Sequence, residues 1–157
     1  MKENYKNLPL RVGVGIVVLN KNNQVFVAKR IDNPKNFWQM PQGGVDVGEK
    51  FYDAAVRELK EETSIKTIKF IKEIDGYISY LLPDELLGII WRGKFKGQKQ
   101  KWFIFRFEGN EKEINIKTKQ PEFLDWKWVN IDNLTDEVVE FKMHVYKHIQ
   151  QELYKII

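Results

Sequence analysis

The stretch Gly43–Ile65, GGVDVGEKFYDAAVRELKEETSI, constrains the fold of this chain more than any other segment. A glycine pair precedes Glu49, and an uninterrupted run follows that reads as a helix from about Phe51 to Thr63. At about 100° per residue, Tyr52, Val56, Leu59 and Thr63 fall on one stripe, while Glu58, Glu61 and Glu62 share a separate face. The stripe is expected to pack on a core, with the three carboxylates displayed at its edge.

As plain structure the acid cluster is unfavourable. Like charges three and four residues apart on a helix repel by about 0.2–0.5 kcal/mol per pair, and acids in the last turn oppose the helix dipole. A hard divalent cation offsets both penalties, because Mg²⁺ binds through a few carboxylates and fills its other positions with water and phosphate oxygens. The alternative is a solvated acidic helix edge.

The sequence has 157 residues, enough for a single domain spanning 1–157, with residues 1–9 expected to be loose. It contains no cysteine, which excludes disulfides, thiolate metal sites and a thiol nucleophile. No apolar run is long enough to span a bilayer, and the first residues lack the apolar core of a signal peptide. A cytoplasmic location is the expectation. The net charge of +4 and pI near 9.1 favour polyanionic partners. Since the helix just described is acidic, the basic residues must lie elsewhere, an arrangement suited to a phosphate-chain substrate beside an acidic metal site.

Along the chain, Arg11–Leu19 reads as a central strand whose two glycines admit a close neighbour. A turn at Lys21-Asn22-Asn23 leads to a second strand, Gln24–Arg30, so the two are expected to form a hairpin. Ile31–Asn36 reads as a loop carrying Pro34. After the helix come strand-like segments at Ile68–Ile74 and Tyr77–Leu82, a longer connection with local order at Leu87–Trp91, and a strong strand at Gln98–Phe107. A short strand is expected at Ile114–Ile116 and another at Trp126–Asn130. Val138–Tyr154 reads as a closing helix with Val138, Phe141, Val145, Ile149 and Leu153 on its apolar stripe. This order suits an α/β fold with helices on both faces of one mixed sheet.

The spacing Gly43-x5-Glu49-x7-Arg57-Glu58-Leu59-x-Glu61-Glu62-x-Ser64-Ile65 resembles the box of the Nudix hydrolases, with Ser64 where the family has glycine. A residue just past a helix end commonly turns left-handed, which serine does at a cost of about 1–2 kcal/mol. Further segments, Trp38–Gly44, Gly97–Phe103, Pro121-Glu122-Phe123, Trp126-x-Trp128-Val129 and Val139–Lys142, resemble the bacterial RNA pyrophosphohydrolase branch and the related dinucleoside polyphosphate hydrolases. The resemblance runs from about Arg11 to Leu153 and implies the Nudix α/β/α sandwich.

It also implies roles. Glu58, Glu61, Glu62 and the Gly43 carbonyl match metal ligands, and Glu122 matches a distant acid that joins them; by composition alone Glu122 is an exposed loop acid. Glu58, Glu62 and Glu122 are the implied catalytic carboxylates, and Glu49 and Arg57 match box positions that brace the loop. Arg11, Tyr80, Gln98 and Gln100 match phosphate-binding positions. Gln98 and Gln100 share one face of a strand, with an outward-facing edge as the other reading and Lys99 and Lys101 opposite. Arg30 and Phe141 match a clamp on the first base, with Lys142 beside it meeting base or phosphate. Phe141 fits the core stripe equally well, and Lys142 reads equally as a surface lysine. Phe37 stands where some relatives carry a small hydroxyl residue, so any phosphate contact made there is missing. The tryptophans read as core or sheet-face residues, and His144 and His148 as helix surface.

The activity implied is hydrolysis of a phosphoanhydride assisted by two or three Mg²⁺ or Mn²⁺ ions. The substrate is either 5′-triphosphorylated RNA, whose conversion to a 5′ monophosphate initiates mRNA decay, or a dinucleoside polyphosphate such as diadenosine tetraphosphate. A reading from another class is a non-catalytic nucleotide- or RNA-binding module, against which the complete set of box acids counts. No membrane and no required protein partner is expected.

Overall fold

The computed structural model describes residues 3–32 and 35–157, so Met1 and Lys2 of the N-terminal segment and Asn33 and Pro34 of the expected loop lie outside the described residues. The β-branched run Leu10–Leu19 forms the central strand β1, buried from Gly13 to Leu19. Such burial on both faces follows from a near-continuous apolar run rather than an alternating one. β1 pairs in parallel with β6 (Gly97–Phe107) along its whole length, from Leu10 opposite Gly97 to Leu19 opposite Arg106. The close approach expected at its glycines is present: a β-carbon would collide with the Gln98 amide at Gly13 and with the Trp102 indole at Gly15.

The expected hairpin forms, but it opens. After the turn at Lys21–Asn23, β2 (Gln24–Arg30) meets β1 with Leu19 opposite Val25. The two strands then part. β2 pairs with β7 (Phe123–Asn130), which begins three residues earlier than expected, while β1 takes the short strand β3 (Gln42–Gly44). Gln39 bridges Ala28, and Met40 is buried with its N–H donated to the Tyr146 hydroxyl. The segment leading into the acidic helix is thereby wedged between β1 and β2, and this opening is where the candidate site lies. The remaining strands are β4 (Ile68–Glu73) and β5 (Ile78–Leu81), both antiparallel to β6, and the main strand order is β4-β6-β1-β2-β7.

Helix α1 spans Phe51–Thr63, as its sequence predicts. With Ala54, Ala55 and Leu59 it covers one sheet face, against Val14, Ile16, Val18, Phe103 and Phe105. Helix α2 (Met143–Ile156) covers the other with Val145, Tyr146, Ile149 and Leu153, against Val17, Val27, Trp102 and Ile104. The result is a mixed sheet between helices. Among the described residues no helix is long and apolar enough to cross a membrane.

Several local expectations are corrected. The buried face of α1 is rotated from the expected stripe: Tyr52 is exposed and leans edge-on against Phe70, Phe103 and Phe105, while Glu62 is buried. The α-helix at the C-terminus starts at Met143, because Glu140–Lys142 is wound as a 3-10 turn; Val138 and Phe141 precede the helix they were expected to join. No strand forms at Ile114–Ile116. Asn110 caps a 3-10 turn at Glu111–Glu113 instead, and Ile114 enters the core with Ile116 packed at its edge.

Candidate active site

The loop before α1 is held by one side chain. Arg57 donates through Nε and Nη2 to both Glu49 oxygens at 2.8 and 2.9 Å, through Nη2 to the Gly44 carbonyl at 2.9 Å, and through Nη1 to Glu58 at 2.9 Å and Glu61 at 3.2 Å. Glu49 also accepts from the Asp46 N–H at 3.0 Å. The guanidinium hydrogen bonds hold the Glu49 carboxyl down at about 2. A planar fork of donors suits this task, which a lysine ammonium cannot perform. The helix ends at Ser64, whose φ of 67° is the left-handed turn expected there; its N–H donates to Lys60 O and its hydroxyl to Asn115 O at 2.8 Å.

The acids fall into two groups. Glu62, from α1, and Glu122, the residue before β7, act on each other electrostatically. Glu122 is brought there because its carbonyl accepts from the Ile31 N–H at 2.9 Å, tying it to the end of β2. Burial and the Glu122 charge push the Glu62 carboxyl well above its ordinary range. Glu58 lies within electrostatic reach of both, and burial raises its carboxyl against the pull of Arg57. Its carboxylate rests on the bare Cα of Gly43, where a β-carbon would collide with it. Glu61 is exposed and drawn to Arg57, so it stands apart from the Glu62–Glu122 pair.

Among the described residues no three acid or imidazole side chains close into a ready metal cage. The donors nevertheless fit a divalent cation. Glu62 Oε2 is buried without a hydrogen-bond partner, and it faces a second carboxylate of like charge. A hard cation between them satisfies the orphan oxygen and reverses the repulsion.

Across the opening stands a polar wall. Gln98 and Gln100 are fully buried, so the exposed-edge reading fails, and their face is opposite that of Lys99 and Lys101, whose ammonium groups lie 4.5 and 5.2 Å from the Tyr77 ring. Gln98 Oε1 accepts from Gln100 at 2.8 Å, Tyr80 at 3.2 Å and Gln42 at 3.3 Å, and Trp102 Nε1 donates to Gln100 at 3.0 Å. Gln98 Nε2 is buried without an acceptor. Lys142 is buried rather than a surface lysine, donating to Gln42 Oε1 at 3.2 Å; burial pushes its ammonium down to about 7. Arg30 grips Asp32 with two bonds of 2.8 and 2.9 Å and lies in the field of Glu62 and Glu122. Phe141 is half-buried, 5.7 Å from the Tyr80 ring, with Lys142 Nζ 5.8 Å from its own ring. Arg11 lies over Trp91 at 5.4 Å.

Phe37 is half-buried, and the two histidines are on the helix surface: His144 contacts Ser79 O and His148 faces Glu152. Two residues of the wall were not found from sequence. Gln42 links Tyr80, Gln98, Gln100 and Lys142, and its only signal is its place beside the glycine pair. Trp91 was grouped with the core tryptophans, since nothing local connects it to Arg11.

Residues 9–149 match the model of the NUDIX domain, and the chain belongs to the Nudix family. It is 66% identical over 157 residues to the RNA pyrophosphohydrolase of Pelagibacter ubique (strain HTCC1062), covering 100% of this chain and 99% of that one. It is 49% identical over 146 residues to the RNA pyrophosphohydrolase of Rhodospirillum rubrum, covering 93% and 88%. Among solved structures, the E. coli dihydroneopterin triphosphate pyrophosphohydrolase superposes with a TM-score of 0.71 at 21% identity, covering 93% and 99%. A C. elegans Ap4A hydrolase complex gives 0.64 at 17%, covering 91% and 98%. At those identities the two structures establish the fold alone.

Proposed function

We propose that the protein is an RNA 5′-pyrophosphohydrolase, which hydrolyses a phosphoanhydride bond of the 5′ triphosphate and leaves a 5′ monophosphate. The observation that carries this reading is the 66% identity, over every residue of the chain, to a relative of that name. The 5′-monophosphate end then exposes the transcript to nucleases that prefer it.

Glu58, Glu61, Glu62, Glu122 and the Gly43 carbonyl are the groups to hold two or three divalent cations. Such ions, when bound, supply a water of lowered pKa and screening of phosphate charge. The chain's own residues do the rest. One carboxylate of the Glu62–Glu122 pair takes the proton as water attacks phosphorus. Arg11 and Lys142 set positive charge along the phosphate chain, with Gln98, Gln100 and Tyr80 as hydrogen-bonding wall. Arg30 and Phe141 hold the first base by its two faces. Arg57 touches no substrate and keeps the loop and Glu58 in place. The reaction proceeds without a covalent intermediate, because no Ser/His/Asp or Cys/His nucleophile arrangement is present among the described residues.

The test is a triphosphorylated oligoribonucleotide incubated with the protein and Mg²⁺, with diadenosine tetraphosphate as comparator. Conversion to a 5′-monophosphate end with the higher kcat/KM supports the reading. A higher kcat/KM for the dinucleotide overturns it.

A further inference from the structure

The excursion between β5 and β6 is anchored at its base and strained at its tip. Leu82 N–H donates to Lys96 O at 2.8 Å, Lys96 N–H to Pro9 O at 3.1 Å, and Leu87 is buried. Gly88 sits against the Tyr5 phenol so closely that a β-carbon would collide with it. Beyond that anchor, Trp91 (φ 52°, ψ 33°) and Arg92 (φ 58°, ψ 26°) occupy the left-handed region in succession. Bulky side chains disfavour that region, and two in a row require surroundings that hold them there.

The turn delivers the Trp91 ring to Arg11, with the guanidinium carbon 5.4 Å from the ring centroid. Arg11 Nη2 also abuts the bare Cα of Gly44, where a β-carbon would collide with it. Gly44 belongs to the segment whose carbonyl Arg57 holds. The Arg11 guanidinium makes no hydrogen bond or ion pair with another described residue, so its side-chain donors carry no internal acceptor. A guanidinium fixed by a ring and a glycine, with its donors unspent, is an anion site prepared in advance.

We propose that Trp91 is the positioning residue for Arg11: the strained turn at Ile90–Gly93 keeps the indole under the guanidinium so that Arg11 meets the phosphate chain already oriented. The inference rests on the reading of the site as a phosphoanhydride hydrolase. The aromatic face attracts the cation electrostatically. It also removes rotamer freedom that a loose arginine would lose on binding. Arg11 contacts the phosphates in ground and transition states alike, so the effect belongs in KM rather than kcat. Trp91 touches no reacting atom.

The experiment is a cycle of Trp91→Leu, Arg11→Gln and the double variant, with Trp91→Phe as the conservative control. KM and kcat for triphosphorylated RNA are read together with the melting temperature. Trp91→Leu should raise KM about fivefold with kcat little changed, Trp91→Phe should recover most of that, and Trp91→Leu should add nothing once Arg11 is gone. Equal effects of Trp91→Leu with and without Arg11, or a lowered melting temperature with KM unchanged, overturn the proposal. Inorganic tripolyphosphate titrated into the same variants with Mg²⁺ separates this inference from the functional one. If triphosphorylated RNA is not hydrolysed but tripolyphosphate binding weakens in the same non-additive pattern, the functional reading fails and the positioning role stands. If tripolyphosphate binds equally to all variants, the positioning role fails.

Discussion

Glu62 and Ser64 lie two residues apart and carry opposite relations between stability and function. Burial and Glu122 hold the Glu62 carboxyl above its ordinary range, so the folded state binds more protons than the unfolded one. Stability therefore falls as pH rises from the unfolded carboxyl value, about 4.3, toward the raised folded value. Glu62→Gln removes that slope, and its melting temperature without metal should exceed the wild type's at neutral pH. Turnover should drop by orders of magnitude, since a carboxylate that holds metal or accepts the proton is worth several kcal/mol. Wild-type turnover at saturating Mg²⁺ would remove Glu62 from the reaction. Ser64 carries only a structural cost. Its left-handed φ disfavours a side chain by about 1–2 kcal/mol, while its hydroxyl bond to Asn115 O returns about 0.5–1.5 kcal/mol. Ser64→Gly should thus stabilise by less than about 1 kcal/mol, seen as a raised urea midpoint at constant m with unchanged turnover.

At the scale of elements, the unit is the braced loop and α1 together. Arg57 gathers Glu49, Gly44, Glu58 and Glu61, and a single ammonium cannot reproduce that fork. Arg57→Lys should speed amide hydrogen exchange over residues 44–50 and lower kcat while α1 stays folded; exchange unchanged from wild type would show that the loop holds itself. The Glu49 side of the brace has its own pH dependence. Its folded carboxyl lies at about 2, so its contribution is present above the unfolded value and is lost as pH falls toward 2. The helix was legible because thirteen residues without glycine or proline follow a glycine-rich turn. Its buried face was less so: Ala54 and Ala55 carry almost no hydropathic signal, and a buried glutamate contradicts the rule that places charge outside. The same limit governs the opened hairpin. Local pattern pairs β1 with β2, but the partners that win, β6, β3 and β7, lie far along the chain or beyond the turn. Gln42 and Trp91 escaped notice for that reason, because each acts on residues from other strands.

For the whole molecule the question is how the proposed base clamp would be assembled, since Arg30 ends β2 and Phe141 sits in the 3-10 turn before α2. The turn places Phe141 at the margin of the core that holds Val145 and Ile149, where its ring is half-buried against Tyr80. Lys142 next to it lies in the field of Arg30, Glu62 and Asp32, which places the turn and the end of β2 around one region. If Phe141 stacks on a base, the contact persists from ground state to transition state and is worth about 1–3 kcal/mol. Phe141→Ala should then raise KM for triphosphorylated RNA by about tenfold or more and leave kcat nearly unchanged. Base preference at that position should be weak, because every base offers a π-face. The rival role is packing against Tyr80 and the α2 core, for which truncation of a buried phenylalanine costs about 3–5 kcal/mol. A half-exposed ring has less to lose, so the melting temperature should fall only modestly. A large drop in melting temperature with KM unchanged would end the clamp and leave Phe141 as a wedge between β5 and the last helix.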